Sequence, residues 1–377
     1  MNEQGVLESE FKEQKNELVS AEEIVLYGNS VIACILRIAM ESLGFSKRTR
    51  IFDKGKYIDN NEDSIKTGIN RVIYLCSVRI TTRASMQKDA TAYFGNYPTY
   101  DFYAVYYYWI SNVVIRDCDI SILAKTLLLC REERSIPNID SINTLFCNLN
   151  CKECSNGIQF RKSRRKITAE EQTSYLEKIT EKMAITQCNF QGGEVFTDVD
   201  FGMFMLEHAR NPRLAILTVA TNGTIMPNDH QFDIIKGIGA MIRISDYGEL
   251  SKARDKIIEK CNQMSIPCFI FPMAEKWRKF GDYKKRERSE TELHKICKEC
   301  CFGTHDLMFL GDRLYCCLRT LFGSVFGETE EVKKNTLYLN SDFSMNELEA
   351  IVNGDNLWMM CDYCDYPMDI IESAEQL

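Results

Sequence analysis

The 377-residue sequence is 45% apolar and 27% charged with a net charge of −8, the balance of an ordinary globular chain long enough for two or three domains. The acidic excess argues against a general nucleic-acid partner, and the longest apolar stretch, residues 30–40, is too short to cross a bilayer and carries Arg37. Seventeen cysteines without a secretory signal point to a reducing compartment and metal ligation, so a cytoplasmic location with no membrane partner is expected.

Residues 1–20 are charged and read as a frayed or helical arm without chemistry. From residue 21 the pattern becomes strand, turn and helix: Ile24 to Tyr27, then Gly28, then an apolar run from Val31 to Leu43 that stops at Gly44. Strands over 50–53 and 71–75 continue a βαβ rhythm, which predicts a Rossmann-like domain over 21–135. Gly28 in the first turn and Asp53, 25 residues on, would suit a nucleotide. Ser30 and Ala33, however, stand where the second and third glycines of that fingerprint belong, so a structural or substrate-presenting role competes. The aromatic segment 103–109 reads as helix packing.

Residues 136–275 alternate strand and helix. A strand over 142–146 runs straight into Cys147, and Thr168 to Glu171 reads as a capping box. Strands over 185–190, 214–220 and 241–245 end at Gly192-Gly193-Glu194, Thr221-Asn222-Gly223-Thr224 and Asp246-Tyr247-Gly248, and a fifth follows over 268–271. The expectation is an α/β fold with a partial (β/α)6 barrel, in which ligands gather at the carboxyl ends of the strands. Every distinctive motif of this stretch lies at such an end.

Cys147, Cys151 and Cys154, separated by three residues and by two, bring three thiolates onto one short loop. A four-iron, four-sulfur cluster takes one thiolate per iron, so three would leave one iron open to a chelating molecule. Structural zinc competes, because cysteines two apart are also a common zinc signature.

With the strand-end motifs in place, the segment 140–275 resembles the radical S-adenosylmethionine (SAM) superfamily. The resemblance implies that Cys147, Cys151 and Cys154 hold a [4Fe-4S] cluster and that SAM chelates the open iron. It implies Gly192, Gly193 and Glu194 at the methionine amino group, Thr221 and Asn222 near the SAM carboxylate or ribose, and Ser245 and Asp246 near the ribose hydroxyls. Glu153 departs from the aromatic residue usual before the third cysteine in that family, which leaves adenine packing there open. Tyr247, Cys268 and Trp277 are candidates to face the substrate cavity, where a cysteine or tyrosine could quench a substrate radical as an epimerase requires; packing explains them as well.

In residues 276–377, a small cysteine-rich α+β domain, Cys297, Cys300, Cys301, Cys316, Cys317, Cys361 and Cys364 crowd around a hairpin expected over 307–315. The order resembles the twitch domain, relative of the longer SPASM domain. That resemblance implies a second, auxiliary [4Fe-4S] cluster on Cys301, Cys317, Cys361 and Cys364, with Cys297, Cys300 and Cys316 as alternates; a zinc ribbon competes.

The implied activity is of oxidoreductase or epimerase type. SAM is cleaved reductively to a 5′-deoxyadenosyl radical that abstracts hydrogen from a sugar, nucleotide-sugar or related small metabolite of a bacterial polysaccharide or natural-product pathway. A flavodoxin- or ferredoxin-type donor would supply the electron. The alternatives are a peptide-modifying maturase and a non-catalytic zinc-binding scaffold. The basic run 161–166 reads as a solvated loop or as a contact for an acidic or phosphate-bearing partner.

Overall fold

The computed structural model describes residues 2–58, 65–132, 134–161, 167–271, 276–300 and 306–377; Cys301 and most of the basic run lie outside them. Residues Glu3–Ser20 form helix α1, capped by the Asn2 side chain accepting from Gly5 N. Leu7, Phe11 and Leu18 are buried along it, so the expected arm is an integral helix.

The first sheet comprises β1 (Glu23–Tyr27), β2 (Thr49–Asp53), β3 (Lys56–Tyr57), β4 (Arg71–Leu75) and β5 (Thr99–Asp101) in the order β3-β2-β1-β4-β5. β2, β1, β4 and β5 run parallel and β3 antiparallel. Helices α2 (Val31–Ser42), α3 (Ile80–Phe94), α4 (Tyr103–Trp109) and α5 (Ile120–Arg131) accompany it. β1 is buried along its whole length, as its unbroken apolar run requires of a central parallel strand. Successive connections leave β1 and β4 on opposite sides, which opens a crevice at their carboxyl ends. Ser30, one of the residues that break the glycine fingerprint, is the α2 cap: its hydroxyl accepts from Ala33 N at 3.3 Å and donates to Cys76 O at 2.8 Å, tying the ends of β1 and β4 together.

The second sheet alternates β6 (Ser135–Thr144), α6 (Ala169–Thr180), β7 (Ala184–Gly192), α7 (Phe201–Ala209), β8 (Leu214–Thr221), α8 (Asp229–Gly237), β9 (Met241–Ile244), α9 (Arg254–Met264) and β10 (Cys268–Ile270). A short strand β11 (Lys276–Arg278) and helix α10 (Glu290–Glu299) precede the hairpin β12 (Leu307–Leu310) and β13 (Arg313–Tyr315), followed by α11 (Leu318–Gly323), α12 (Glu330–Lys334), β14 (Thr336–Tyr338), α13 (Met345–Asn353) and β15 (Ile370–Glu372). The order is β10-β9-β8-β7-β6-β12-β13-β14, while β11 and β15 pair separately. Six strands, β10 through β6 and then β12, are parallel, giving an open partial barrel. The sixth parallel strand joins beside β6 and not beside β10.

β6 begins at Ser135, earlier than its apolar run implies, and includes Pro137. Among the described residues β12 pairs with it only from Ile139 onward, so Pro137 lies where that side of β6 is an edge and no donor is missed. Period-two alternation turns Ile139, Cys188 and Phe190 into the core beneath α6–α9 and leaves Asn138, Asp140, Gln187, Gln191 and Arg243 on the inner face.

A second core joins α1, α2, α4 and α5 to Ala184, Ala215, Ile216 and Met241 at the amino ends of β7–β9. Tyr103, Tyr106 and Trp109 are fully buried here, each worth about 4–6 kcal/mol of transfer free energy before conformational entropy. Arg116 Nη1 donates to the carbonyls of Leu214 at 3.2 Å and Ala215 at 2.9 Å, fastening the first sheet's helices to the base of the second.

Candidate active site

The cysteine loop leaves the carboxyl end of β6 and crosses the double glycine that ends β7. Gly193 N donates to Thr144 O and Glu194 N to Phe146 O, both at 2.8 Å. A Cβ at Gly192 would strike the Thr144 carbonyl, and one at Gly193 the Phe146 carbonyl. The two glycines therefore let the loop lie flat on the end of β7.

Cys147, Cys151 and Cys154 line one cavity of about 140 Å³ together with Gly192 and Gly193, Thr221 and Asn222, Ser245, and Tyr247. Trp277 of β11 completes the wall, edge-on to Tyr247 with ring centroids 5.6 Å apart. Residues from the ends of β6, β7, β8 and β9 thus converge. Among the described residues no three Cys, His, Asp or Glu side chains close on one point as a single ion needs. The three thiols line the same cavity, and a four-iron cluster takes one thiolate per iron.

N–H donors face these sulfurs. Leu149 N lies 3.4 Å and Asn222 Nδ2 3.8 Å from Cys147 Sγ, and Gln376 Nε2 lies 3.3 Å from Cys151 Sγ. Such donors stabilise negative charge on thiolate and cluster sulfur. Burial pushes the Cys147 thiol up to about 12 and raises Cys151 and Cys154, so metal loading must displace their protons.

Glu194 is not brought to the cavity. Its side chain is fully buried and accepts from Phe196 N at 3.2 Å, Thr221 Oγ1 at 2.9 Å and Asn222 N at 2.7 Å, bracing the end of β8 against that of β7. Burial lifts its carboxyl to about 7, against the pull of those donors. Asp246 is turned to Arg254, 2.6 Å away. Cys268 faces the α9 thiol of Cys261 in the core, which raises its own thiol, because alternation along β10 points it away from the inner face.

Sequence patterning missed the contribution of the last residues. Lys152 N donates to Glu375 O at 2.8 Å, Asn150 N to Gln376 Oε1 at 2.8 Å and Leu377 N to Asn150 O at 2.9 Å, so residues 375–377 lie along the cysteine loop like a short strand. The pairing of β15 with β11 delivers them there.

In the cysteine-rich region, Cys300, Cys317, Cys361 and Cys364 line a small cavity of about 30 Å³ with Arg319 and Met360. Cys316 points the other way, its thiol donating to Asn335 Oδ1 at 3.1 Å. Cys297 lies against Cys361, whose thiol donates to it and lowers its own, while Cys361 is raised. The Cys316 thiol beside Cys317 holds it at about 7, below the ordinary thiol value. A larger cavity, about 590 Å³, is lined by Cys154 of the first group and by Tyr283, Arg319 and Phe322, of which Arg319 also lines the small cysteine cavity.

The fold and site together define a protein with three loop cysteines at the carboxyl end of a parallel sheet, backed by a glycine turn. Residues 142–245 match the family model of the radical SAM superfamily, a family that works with a [4Fe-4S] cluster and SAM. Three solved structures are similar in part. One is anSMEcpe with bound AdoMet, at 16% identity over 36% of this chain and 43% of that one, TM-score 0.28. Another is Streptococcus suis SuiB bound to S-adenosylmethionine, at 15% identity over 48% and 42%, TM-score 0.29. The third is BtrN in complex with AdoMet and 2-DOIA, at 13% identity over 64% and 96%, TM-score 0.38. The match spans less than half the length of the first two. No curated protein sequence matches the chain.

Proposed function

We propose that the protein is a radical SAM enzyme in which Cys147, Cys151 and Cys154 ligate the [4Fe-4S] cluster that binds SAM, acting on a sugar, nucleotide-sugar or related small metabolite by oxidation or epimerisation. The observation that carries the reading is convergence: the cysteine loop, Gly192-Gly193, Thr221-Asn222 and Ser245, from four successive strand ends, line one cavity. When bound, the cluster and SAM supply a 5′-deoxyadenosyl radical able to remove hydrogen from an unactivated carbon.

The chain's own residues fix the geometry. Gly192 and Gly193 expose backbone to the cavity, while Glu194 holds Thr221 and the Asn222 backbone in place from behind. Asn222 in turn reaches Asn148 Oδ1 at 3.3 Å and Cys147 Sγ, coupling the β8 end to the cysteine loop. Tyr247 and Trp277 give the cavity an aromatic wall. Cys317, Cys361 and Cys364 with Cys300 or Cys301 are proposed to hold an auxiliary cluster, and a flavodoxin- or ferredoxin-type protein in the cytoplasm to supply the electron.

Iron and acid-labile sulfide analysis of anaerobically reconstituted protein tests the assignment. The wild type should bind two clusters, Cys151→Ala should lose the first and Cys361→Ala the second. Zinc without sulfide in the wild type would replace the enzyme reading with a zinc-binding scaffold.

A further inference from the structure

A cavity of about 380 Å³ opens where the two sheets meet. The first sheet contributes Ser30 and Val31 at the start of α2 and Ser77 and Val78 after β4, the crevice at its strand ends. The second contributes its polar inner face. Ser155, Asn156, Gln191 and Arg243 line both this cavity and the one holding the three cysteines, so a molecule here abuts whatever occupies the other.

Its ionisable groups are Asp140 on β6, Asp306 before β12, Arg243 on β9 and the buried Cys76 thiol after β4. Asp140 accepts from Asn189 Nδ2 at 2.8 Å and Asp306 from Asn138 Nδ2 at 2.9 Å, so neutral amides orient both carboxylates. The Arg243 guanidinium lies over the Phe271 ring at 4.7 Å, and its Nε, like Asn138 Oδ1, is buried without a hydrogen-bond partner among the described residues. Buried polar atoms are ordinarily satisfied; among the described residues an acceptor for Arg243 and a donor for Asn138 are missing. Burial also disfavours the two carboxylates at this place, and Asp140 adds to the effect on Asp306; the single Arg243 guanidinium offsets this for both, which leaves two carboxylates against one cation, a cost that a second cation would relieve.

We infer that this cavity is the substrate pocket and that it selects a small hydroxylated amine, its ammonium on Asp140 and Asp306 and an oxygen on Arg243. The inference rests on the function proposed above. The volume is near the lower end of the ~300–1,000 Å³ usual for small-molecule pockets, which fits a metabolite of monosaccharide size. The first sheet then has a role that its broken glycine fingerprint did not disclose: its strand ends wall off the inner end of the pocket.

Calorimetric titration of the anaerobically reconstituted, SAM-loaded full chain with glucosamine, glucose and glucuronate tests this. Glucosamine should bind about ten-fold or more tightly than glucose, the difference of one charge-assisted contact, and glucuronate should bind weakest. Asp306→Asn should lose about ten-fold in glucosamine affinity, and Val78→Trp, which fills the pocket from the first sheet, should lose as much; the second variant carries the test if the first does not fold. Equal or reversed affinities overturn the inference. So does absence of glucosamine binding in a sample that cleaves SAM, whereas a sample that cannot cleave SAM counts against the proposed function instead.

Discussion

His208 is fully buried between α7 and β6, with Nδ1 3.1 Å from Phe204 O and Nε2 3.4 Å from Ser141 Oγ. Burial drops its imidazolium to about 3, so the folded protein keeps it neutral while the unfolded chain protonates near 6.5. The unfolded state binds more protons between those values. His208 therefore costs nothing above about pH 6.5 and subtracts stability as pH falls, about 2 kcal/mol at pH 5. The raised Glu194 carboxyl has the opposite sign over the same range, so the His208 contribution is read by difference: in urea unfolding at pH 7 and pH 5, His208→Gln should gain about 2 kcal/mol relative to the wild type on going to pH 5. Gly193→Ala should be worse tolerated than its small volume implies, since the added methyl meets the Phe146 carbonyl; a loss toward the upper end of about 1–3 kcal/mol and poor iron uptake at the first site are expected from unfolding curves and iron analysis. The spacing of Cys147, Cys151 and Cys154 was legible because ligands on one loop are local in sequence. The turn of Glu194 away from the cavity was not, because only the fold shows that Thr221 and Asn222 lie behind it.

Strand ends carried most of the legible information at the level of elements. Apolar runs stopping at Gly192, Thr221 and Ser245 marked β7, β8 and β9, and the hairpin β12–β13 followed from Gly311-Asp312 between two apolar stretches. Pairing between distant segments has no such local signal. Residues 375–377 lie along residues 150–152, more than two hundred positions away in the chain. Gln376→Leu removes the N–H directed at Cys151 Sγ. A hydrogen bond to cluster sulfur favours the reduced, more negative state, so the midpoint potential of the first cluster should fall by about 40 mV, taking ~1 kcal/mol per hydrogen bond. An anaerobic redox titration followed by electron paramagnetic resonance measures it, and an unchanged potential would show that the tail only packs.

For the molecule as a whole, the Rossmann-like sheet and the partial barrel could be read from their βα periodicity, and the cysteine-rich end from the crowding of its cysteines around a hairpin. How the first two meet could not. The shared core of α4 and α5 with Ala184, Ala215 and Met241, and the Arg116 contacts to Leu214 and Ala215, set the first sheet against the amino ends of β7–β9, where its strand ends close the inner cavity. Among the described residues no helix is long and apolar enough to cross a membrane. The central claim is that three loop cysteines arm SAM for radical chemistry. Its most direct test is 5′-deoxyadenosine formation by anaerobically reconstituted protein given SAM and dithionite: the wild type should form it and Cys151→Ala should not, whereas equal formation by both, or none by a wild type that holds its clusters, would contradict the account.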